Sequence, residues 1–207
     1  VDELLYVDTV ASLYGRNKLS DILQKTTQDI FIPVTAGGGL RSVEDVGLVL
    51  KMGADKAAVN TAALHRPELI SELAKAYGSQ CVVLSVQAKR WETGWEAYFD
   101  NGRERSGKDA LEWIGQAERW GAGEILVTSV DAEGRQKGMD HELIAAARQA
   151  TALPVIAAGG VSGADDMVQA AKEGADAVSA ASILHYDKTS VPALKQEILK
   201  AGVEVRA

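Results

Sequence analysis

The sequence is poor in the residues that form disulfides and metal sites. It has one cysteine, Cys81, and three histidines among 207 residues, so no internal disulfide can form and a zinc site is not expected. We predict no metal and no cofactor, and the lone cysteine favours a reducing, cytoplasmic location. We expect His65, His141 and His185 to occupy surface or loop positions rather than catalytic ones.

Long apolar runs and an excess of positive charge are also lacking. No apolar run approaches the ~18 residues that a membrane-spanning helix needs, and we find no secretion signal pattern. The formal net charge is −7, which argues against a general nucleic-acid binder. A small anion can still bind such a protein through local backbone amides, whatever the global charge.

The most informative feature that is present is an internal repeat with an offset of 121 residues. The stretch IPVTAGGGLRSVEDVGLVLKMGADKAAVNTAAL, Ile32–Leu64, aligns without a gap on LPVIAAGGVSGADDMVQAAKEGADAVSAASILH, Leu153–His185. The same offset places Glu3-Leu4-Leu5 over Glu124-Ile125-Leu126. One register held over some sixty residues indicates duplication, with copies at about 2–64 and 123–185.

Both copies alternate apolar strands with amphipathic helices, the pattern of a parallel sheet covered by helices. We predict seven parallel strands, starting near residues 4, 31, 56, 81, 124, 154 and 176, and helices that include Val43–Met52, Lys108–Trp120 and Ala164–Lys172. The segment Trp91–Arg105 alternates and contains Asn101-Gly102, which predicts a β-hairpin.

The repeat predicts an eighth strand–helix unit, because the unit at about 81–122 precedes the second copy and its counterpart should precede the first. Seven strands leave two unpaired edges in a barrel. We therefore expect a single α/β domain over residues 1–207, a TIM-type (β/α)8 barrel truncated to seven units. We expect the exposed edges to favour a homo-oligomer.

In such barrels the active site lies at the C-terminal ends of the strands. The glycine pairs Gly38-Gly39 and Gly159-Gly160 follow two matched strands, and glycine lets backbone amides approach an anion closely. Asn60-Thr61, Thr128-Ser129 and Ser182 end neighbouring strands and could add amide and hydroxyl donors. Two related sites on one mouth suit a ligand with a phosphate at each end.

Four further positions have a functional and a structural interpretation. Asp8 is either a catalytic acid or a hydrogen-bonding loop organiser. Gln87 cannot be a general acid or base, so it either donates and accepts hydrogen bonds or fills the mouth. Lys56 and Glu124 lie near strand beginnings, where an ion pair is ordinarily structural.

Together these motifs resemble the cyclase subunit family of imidazole glycerol phosphate synthase, an enzyme of histidine biosynthesis. The resemblance extends over the whole chain, and the stretches that carry it are VDTVAS, FIPVTAGGGLRSVEDV, GADKAAVNTAAL, GSQCVV, ERWGAGEILVTSVD, PVIAAGG, GADAVSAASILH and PALKQEILKAGVEVR. It begins after the family's first strand and helix, in agreement with the unit that the repeat predicts.

The resemblance implies an ammonia-dependent lyase reaction. Ammonia from a glutaminase partner would convert a two-phosphate ribonucleotide to imidazole glycerol phosphate and an aminoimidazole carboxamide ribotide. Phosphate binding would fall to residues matching Gly39, Gly160, Asn60, Thr128, Ser129 and Ser182. Ammonia would enter at the barrel bottom past Glu3, Lys56 and Glu124, with Gln80 on the partner-facing side.

The resemblance also places an acid–base pair of aspartates on the family's first and fifth strands. The first lies outside this sequence, and the second falls at Gln87, where SVQAKR replaces the family's IDAKR pattern. Glu133 stands in the loop DAEG where the family usually has aspartate, and Asp131 in the same loop is a further catalytic candidate. An amide in place of a general acid or base removes ~10²–10⁴-fold of rate. Three functions thus stay open: the cyclase, a paralogue that uses ammonia on another sugar, and a non-catalytic barrel that binds phosphorylated ligands.

Overall fold

A computed structural model of the chain describes residues 1–9 and 19–206, without the side chains of residues 19–22. Residues 10–12, the second half of the VDTVAS stretch, therefore lie outside the described residues. Among the described residues, no helix is long and apolar enough to cross a membrane.

Strands and helices alternate along the chain. The strands are β1 Leu4–Val7, β2 Val34–Gly37, β3 Lys56–Val59, β4 Val82–Trp91, β5 Gly94–Phe99, β6 Glu104–Asp109, β7 Glu124–Ser129, β8 Val155–Ala158 and β9 Ala177–Ser179. The helices are α1 Leu19–Thr26, α2 Val43–Lys51, α3 Thr61–His65, α4 Glu68–Tyr77, α5 Ala110–Trp120, α6 His141–Ala150, α7 Ala164–Lys172, α8 Ser182–His185 and α9 Val191–Lys200, with a 3₁₀ turn at Ser79–Cys81. These bounds lie within three residues of the predicted strand starts and helices.

The sheet has the predicted parallel topology. Its order is β1-β2-β3-β4-β7-β8-β9, and all neighbours in this path are parallel. Strands β5 and β6 form the predicted hairpin and pair antiparallel. Strand β5 also pairs antiparallel with the C-terminal half of β4, from Gln87 to Trp91. The sheet curves as a nearly closed (β/α) barrel, so the predicted fold class is confirmed.

Side chains alternate between the two faces of each strand, so the sheet has an outer core and a small interior cluster. Side chains on the outer face pack against the helices in a large core that includes Leu84, Trp113 and Ile125, with a smaller one around Ala157 of β8 and Val168 of α7. The inner face carries a second cluster of Ala58, Val83 and Leu126. The central strands β2, β3, β4 and β7 are therefore largely buried on both faces, as expected for a parallel barrel.

The barrel seam is open between β1 and β9. In the described residues β1 pairs only with β2, and β9 pairs only with β8. The inward-facing Leu5 and Val7 of β1 are 37% and 46% exposed, whereas inward-facing Val83 on β4 is fully buried. The interior is thus well covered around β4 and β7 and accessible along the seam.

Several scaffold contacts recur at the offset of 121 residues. The Asp55 carboxylate accepts a hydrogen bond from the Val34 amide at 2.8 Å, and the Asp176 carboxylate accepts one from the Val155 amide at the same distance. These carboxylates precede β3 and β9 and join each to the preceding strand. The recurrence supports duplication of a half-barrel.

Candidate functional site

A cavity of about 460 Å³ opens at the C-terminal ends of β1 to β4. Its lining includes six of the polar or glycine positions predicted from the sequence, which are Asp8, Gly38, Gly39, Asn60, Thr61 and Gln87. Arg41, His65, Arg66 and Asp100 also line it. The structure therefore brings the first-copy candidates into one mouth, as strand ends in a parallel barrel require.

The turn after β2 needs glycine for two separate reasons. Gly38 and Gly39 have φ angles of +94° and +70°, a region that disfavours side chains. A Cβ atom on Gly38 would also lie 2.2 Å from the carbonyl oxygen of Asp8. The backbone of this turn consequently reaches the cavity with no side chain in front of it, which is the arrangement that anion sites use.

Gln87 and Asn60 form a fixed hydrogen-bond network at the cavity wall. Gln87 Oε1 accepts from the Gly102 amide at 2.8 Å and from Asn60 Nδ2 at 3.0 Å. Asn60 Nδ2 also donates to the carbonyl oxygen of Tyr98 at 3.1 Å. Because the Gly102 N–H can only donate and the Tyr98 carbonyl can only accept, the orientation of both amides is determined.

This network sets what Gln87 can do chemically. Its oxygen is occupied by two donors, and an amide does not titrate in the physiological range, so it moves no proton at this position. Its role is to join the hairpin tip at Gly102 to Asn60. The Oδ1 atom of Asn60 is buried and has no hydrogen-bond partner among the described residues.

The β5–β6 hairpin is fastened above the cavity by several contacts. The Asp100 amide donates to Thr61 Oγ1 at 3.2 Å, and Lys108 Nζ donates to the carbonyl oxygen of Leu64 at 2.8 Å. At the hairpin base, Arg105 contacts the buried Glu96 carboxylate at 2.8 Å and holds its pKa below the ordinary value, against the effect of burial. The Asn-Gly turn predicts the hairpin. No local pattern predicts the docking of its tip on Thr61 and Gln87, because those contacts join residues 15 to 39 positions apart.

The second-copy candidates lie outside this cavity. Gly159 and Gly160 have φ angles of +93° and +88°, so the turn repeats the first one. A Cβ atom on Gly160 would lie 2.3 Å from the Gly138 carbonyl oxygen, and the Gly138 amide donates to Gly160 at 3.0 Å. This turn is therefore packed under the loop that follows β7.

The hydroxyl candidates of the second copy are close to that turn. Thr128 and Ser129 end β7 and are buried, and Thr128 is in register with Gln87 on one side and Ala158 on the other. Ser129 Oγ accepts from the Ala132 amide at 3.3 Å. Ser182 begins α8 and is half-buried, in the position that Thr61 has at the start of α3.

The two aspartate candidates have different surroundings. Asp8 lines the cavity directly after β1, and its backbone amide donates to the Gly37 carbonyl oxygen at 3.0 Å. Asp131 is not among the residues that line this cavity; its carboxylate accepts from the Arg90 amide at 2.8 Å. That contact joins the loop after β7 to β4, which is a structural use of the side chain.

The opposite end of the barrel carries a cluster of three charges. Lys56 Nζ lies 2.6 Å from Glu124 Oε1 and 3.2 Å from Glu3 Oε2. Burial alone would lower the pKa of Lys56, but hydrogen bonds and charge attraction from Glu124 and Glu3 outweigh it and raise that pKa above its ordinary value. Glu124 Oε2 is buried and has no partner among the described residues.

Gln80, predicted to act at the same end, has a separate environment. It lies in the 3₁₀ turn before β4, is exposed, and donates to the Tyr77 carbonyl oxygen at 3.4 Å. No hydrogen bond of the described residues joins it to the three charges.

His141 has two acidic partners that the sequence does not predict. The histidine begins α6 and is half-buried, with Nδ1 2.8 Å from Glu173 Oε2 and Nε2 3.2 Å from Asp166 Oδ1. Asp166 is on α7 and Glu173 directly follows it, 25 and 32 residues away, so no local sequence pattern reveals this bridge. In the described part of the chain, no group of three or more histidine, cysteine, aspartate or glutamate side chains is arranged so that it could hold a metal ion.

Comparison with known families decides what kind of barrel this is. The family model described as "Histidine biosynthesis protein" matches residues 1–190. The chain belongs to this family. Among its relatives is the imidazole glycerol phosphate synthase subunit HisF of Mycobacteroides abscessus, which is 46% identical over all of this chain and 83% of the relative.

Two further relatives carry the same name. The protein of Legionella pneumophila is 55% identical over 77% of this chain and 76% of its own length. That of Corynebacterium diphtheriae is 44% identical over all of this chain and 83% of its own length. The resemblance inferred from the motifs is thereby confirmed.

Proposed function

We propose that the chain is a cyclase-type barrel of imidazole glycerol phosphate synthase that binds a two-phosphate ribonucleotide across its mouth. The observation that carries this proposal is the pair of glycine turns after β2 and β8, which both have positive φ angles at two successive glycines on matched strands. Thr61 and Ser182, at matched positions beside these turns, would donate hydroxyl hydrogen bonds to the two phosphates.

The opposite end of the barrel fits the supply of ammonia. The cluster of Glu3, Lys56 and Glu124 offers carboxylate oxygens to an N–H donor, and one of them, Glu124 Oε2, is buried without a partner. We propose that a glutaminase subunit docks at this end, with Gln80 on the docking face. A cytoplasmic location stays a prediction.

A specific observation favours a second candidate, a barrel that binds phosphorylated ligands with little turnover. Gln87 stands at the position of a family aspartate, and both of its contacts use it as an acceptor. The remaining catalytic candidates, Asp8 and Asp131, would have to transfer protons in its place. Binding and turnover are therefore separate predictions.

Binding is tested by calorimetric titration of the full chain with the synthase's two-phosphate substrate and with imidazole glycerol phosphate, which has one phosphate. We expect the substrate to bind more tightly. Thr61→Val and Ser182→Ala should each weaken its binding about tenfold, the value of one hydrogen bond to a charged group. Thr93→Val, in the exposed turn between β4 and β5, is the matched control. Equal affinity of all four proteins would refute the two-phosphate site.

We also propose that the chain associates with itself through the open seam. Among the described residues, the outer edges of β1 and β9 have no strand partner, and Leu5 and Val7 expose apolar surface on β1. Unpaired sheet edges favour pairing with another chain. Sedimentation at micromolar concentration should show a dimer. A stable monomer with a cooperative unfolding transition would contradict this proposal.

A further inference from the structure

The tip of the β5–β6 hairpin places a carboxylate beside the hydroxyl that would bind the first phosphate. Asp100 is half-buried and lines the same cavity as Thr61. Its backbone amide donates to Thr61 Oγ1 at 3.2 Å, and the Thr61 hydroxyl donates to Asp100 Oδ1 at 3.5 Å. A hydroxyl has a single proton. Thr61 therefore cannot donate to Asp100 and to a phosphate at the same time.

The side-chain donor of the neighbouring residue, Asn60, is occupied as well. Its Nδ2 atom donates to Gln87 Oε1 at 3.0 Å and to the Tyr98 carbonyl oxygen at 3.1 Å. A side-chain amide nitrogen has two hydrogens, so none is left for a ligand. The family resemblance implies a phosphate contact at Asn60, but in this structure both hydrogens serve contacts to the hairpin and to β4.

The turn at the hairpin tip does not by itself explain an acidic side chain. Asp100 and Asn101 have φ angles of +48° and +60°, a region in which glycine is the least strained residue. Aspartate tolerates this region, but the backbone conformation does not require a carboxylate. The contact with Thr61 and the position at the cavity are what distinguish aspartate from glycine here.

The groups around Asp100 suit an anion. Arg41 and Arg66 also line the cavity, and the turn at Gly38-Gly39 presents its backbone there. Positive side chains and exposed backbone amides attract negative charge. Asp100 therefore supplies, from the chain itself, an anion at the place where a phosphate would bind.

The second copy has no equivalent of this arrangement. Ser182 is the counterpart of Thr61 at the offset of 121, and no acidic side chain among the described residues is hydrogen-bonded to its hydroxyl. The two halves of the mouth thus have matched hydroxyl positions, of which only the first is bonded to a carboxylate.

We propose that Asp100 is a specificity-determining residue, which occupies the first phosphate position until a ligand displaces it. This inference rests on the proposed function and adds a reason for selectivity toward ligands with two phosphates. A single phosphate would have to separate Asp100 from Thr61 and approach a carboxylate, and juxtaposed like charges are unfavourable. A ligand already held at the second turn has a high effective concentration at the first turn, which favours displacement of the hairpin tip.

The test is an NMR titration of the full chain with inorganic phosphate, followed separately at the backbone amides of Gly39 and Gly160. Asp100→Asn removes the charge and keeps the size of the side chain. We expect half-saturation at Gly39 to need about tenfold less phosphate in this variant, because a like charge has been removed. Half-saturation at Gly160 should be unchanged.

Glu104→Gln is the matched control for the change in net charge. Glu104 is exposed on β6 of the same hairpin and is not among the residues that line the cavity. We expect this variant to bind phosphate as the wild type does at both turns.

Hydrogen exchange gives a second measurement, which a purely structural aspartate would not affect. The amides of Asp100 and Gly102 donate to Thr61 and Gln87. If phosphate displaces the hairpin tip, both amides should exchange faster in the phosphate-saturated wild type. Ligand binding ordinarily stabilises the native state and slows exchange, so the sign of the change identifies displacement.

The outcomes distinguish this inference from the proposed function. Equal half-saturation at Gly39 in wild type and Asp100→Asn would overturn the role of Asp100 and leave the phosphate sites intact. Slower exchange at Gly102 on phosphate binding would do the same. Absence of any phosphate-dependent shift at Gly39 and Gly160 in all three proteins would overturn the phosphate sites, and the inference with them.

Discussion

The glycine turn after β2 and the glycine turn after β8 share their backbone conformation and differ in what surrounds them. Gly38 and Gly39 line an open cavity, whereas Gly160 packs against Gly138 in the loop after β7. The contacts that build the scaffold, such as those of Asp55 and Asp176, are the same in both copies. Duplication therefore identifies what the fold requires, and the differences between copies identify positions that are available for function.

Asn60 and its counterpart Ala181 give the clearest example. The Asn60 amide is joined to Gln87 and to the hairpin above the first turn. Ala181 has no side chain that could make such contacts, and no hairpin covers the second turn among the described residues. The two halves of the mouth would therefore bind chemically different ends of one ligand.

The largest effect that we expect from this asymmetry concerns turnover. Gln87 is beside the first turn and transfers no proton, so ammonia-dependent cyclase activity should be at least about 100-fold below that of the Mycobacteroides abscessus relative. Steady-state assays with ammonium salts on both purified proteins test this expectation. Turnover within tenfold of the relative would contradict it and would require another proton-transfer group in the cavity.

Substituting the glycines should show that both turns are constrained alike. Gly38→Ala and Gly160→Ala should each lower the free energy of unfolding by about 3 kcal/mol, because a positive φ and a backbone clash act together. Gly107→Ala is the control: φ is +71° but a Cβ would meet nothing within 4 Å, so a loss of about 1 kcal/mol is expected. Equal losses in urea unfolding for all three variants would show that the close contacts do not matter.

Substitution of Lys56 tests the charge cluster at the end of the barrel opposite the cavity. Lys56→Met leaves Glu124 without its partner and should cost about 2 kcal/mol at pH 7, less than a fully buried pair because the site is partly solvated. Glu3→Gln should cost under about 0.5 kcal/mol, since the Glu3 side chain is 45% exposed and exposed ion pairs contribute little.

The pH dependence of Lys56 has a definite sign. Its pKa is raised in the folded state above the ordinary value of 10.5, so the stabilisation is complete at neutral pH. It is lost only as the pH rises through the raised value. Urea unfolding of wild type and Lys56→Met between pH 7 and 11 should converge at the alkaline end. A constant difference would contradict the assigned interaction.

We expect the smallest difference in stability between variants of Asp166 and variants of Asp45, its counterpart in the first copy. Both carboxylates accept from a backbone amide four residues earlier, at 2.8 and 2.9 Å, but Asp166 also binds Ser162 Oγ and His141. Asp166→Asn should therefore cost about 1 kcal/mol more than Asp45→Asn.

The pH dependence of unfolding at acid pH tests the contribution of the Asp166 carboxylate. Although burial acts to raise it, the pKa of Asp166 is lowered by hydrogen bonds from Ser162, His141 and Met139. Its stabilising contribution is therefore present above the ordinary aspartate range and is lost as the pH falls through the lowered value. If unfolding of Asp166→Asn and wild type shows the same pH dependence below pH 5, the assignment fails.

How far the sequence predicts this molecule depends on the distance between interacting residues. Strands and helices follow from local patterns: α7 was predicted at the residues where it occurs, and the Asn101-Gly102 turn predicted the hairpin. Repeat and resemblance together placed Gly38 and Gly39 at the mouth. The docking of the hairpin on Gln87 and the His141 bridge depend on tertiary contacts between elements, which no local pattern encodes.

The central claim is that one ligand spans both glycine turns. The most direct measurement is an NMR titration of the backbone amides of Gly38, Gly39, Gly159 and Gly160 with the two-phosphate substrate. We expect all four resonances to shift along one common binding curve, and inorganic phosphate to shift them only at far higher concentration. Shifts at one turn alone, or at neither, would contradict the account.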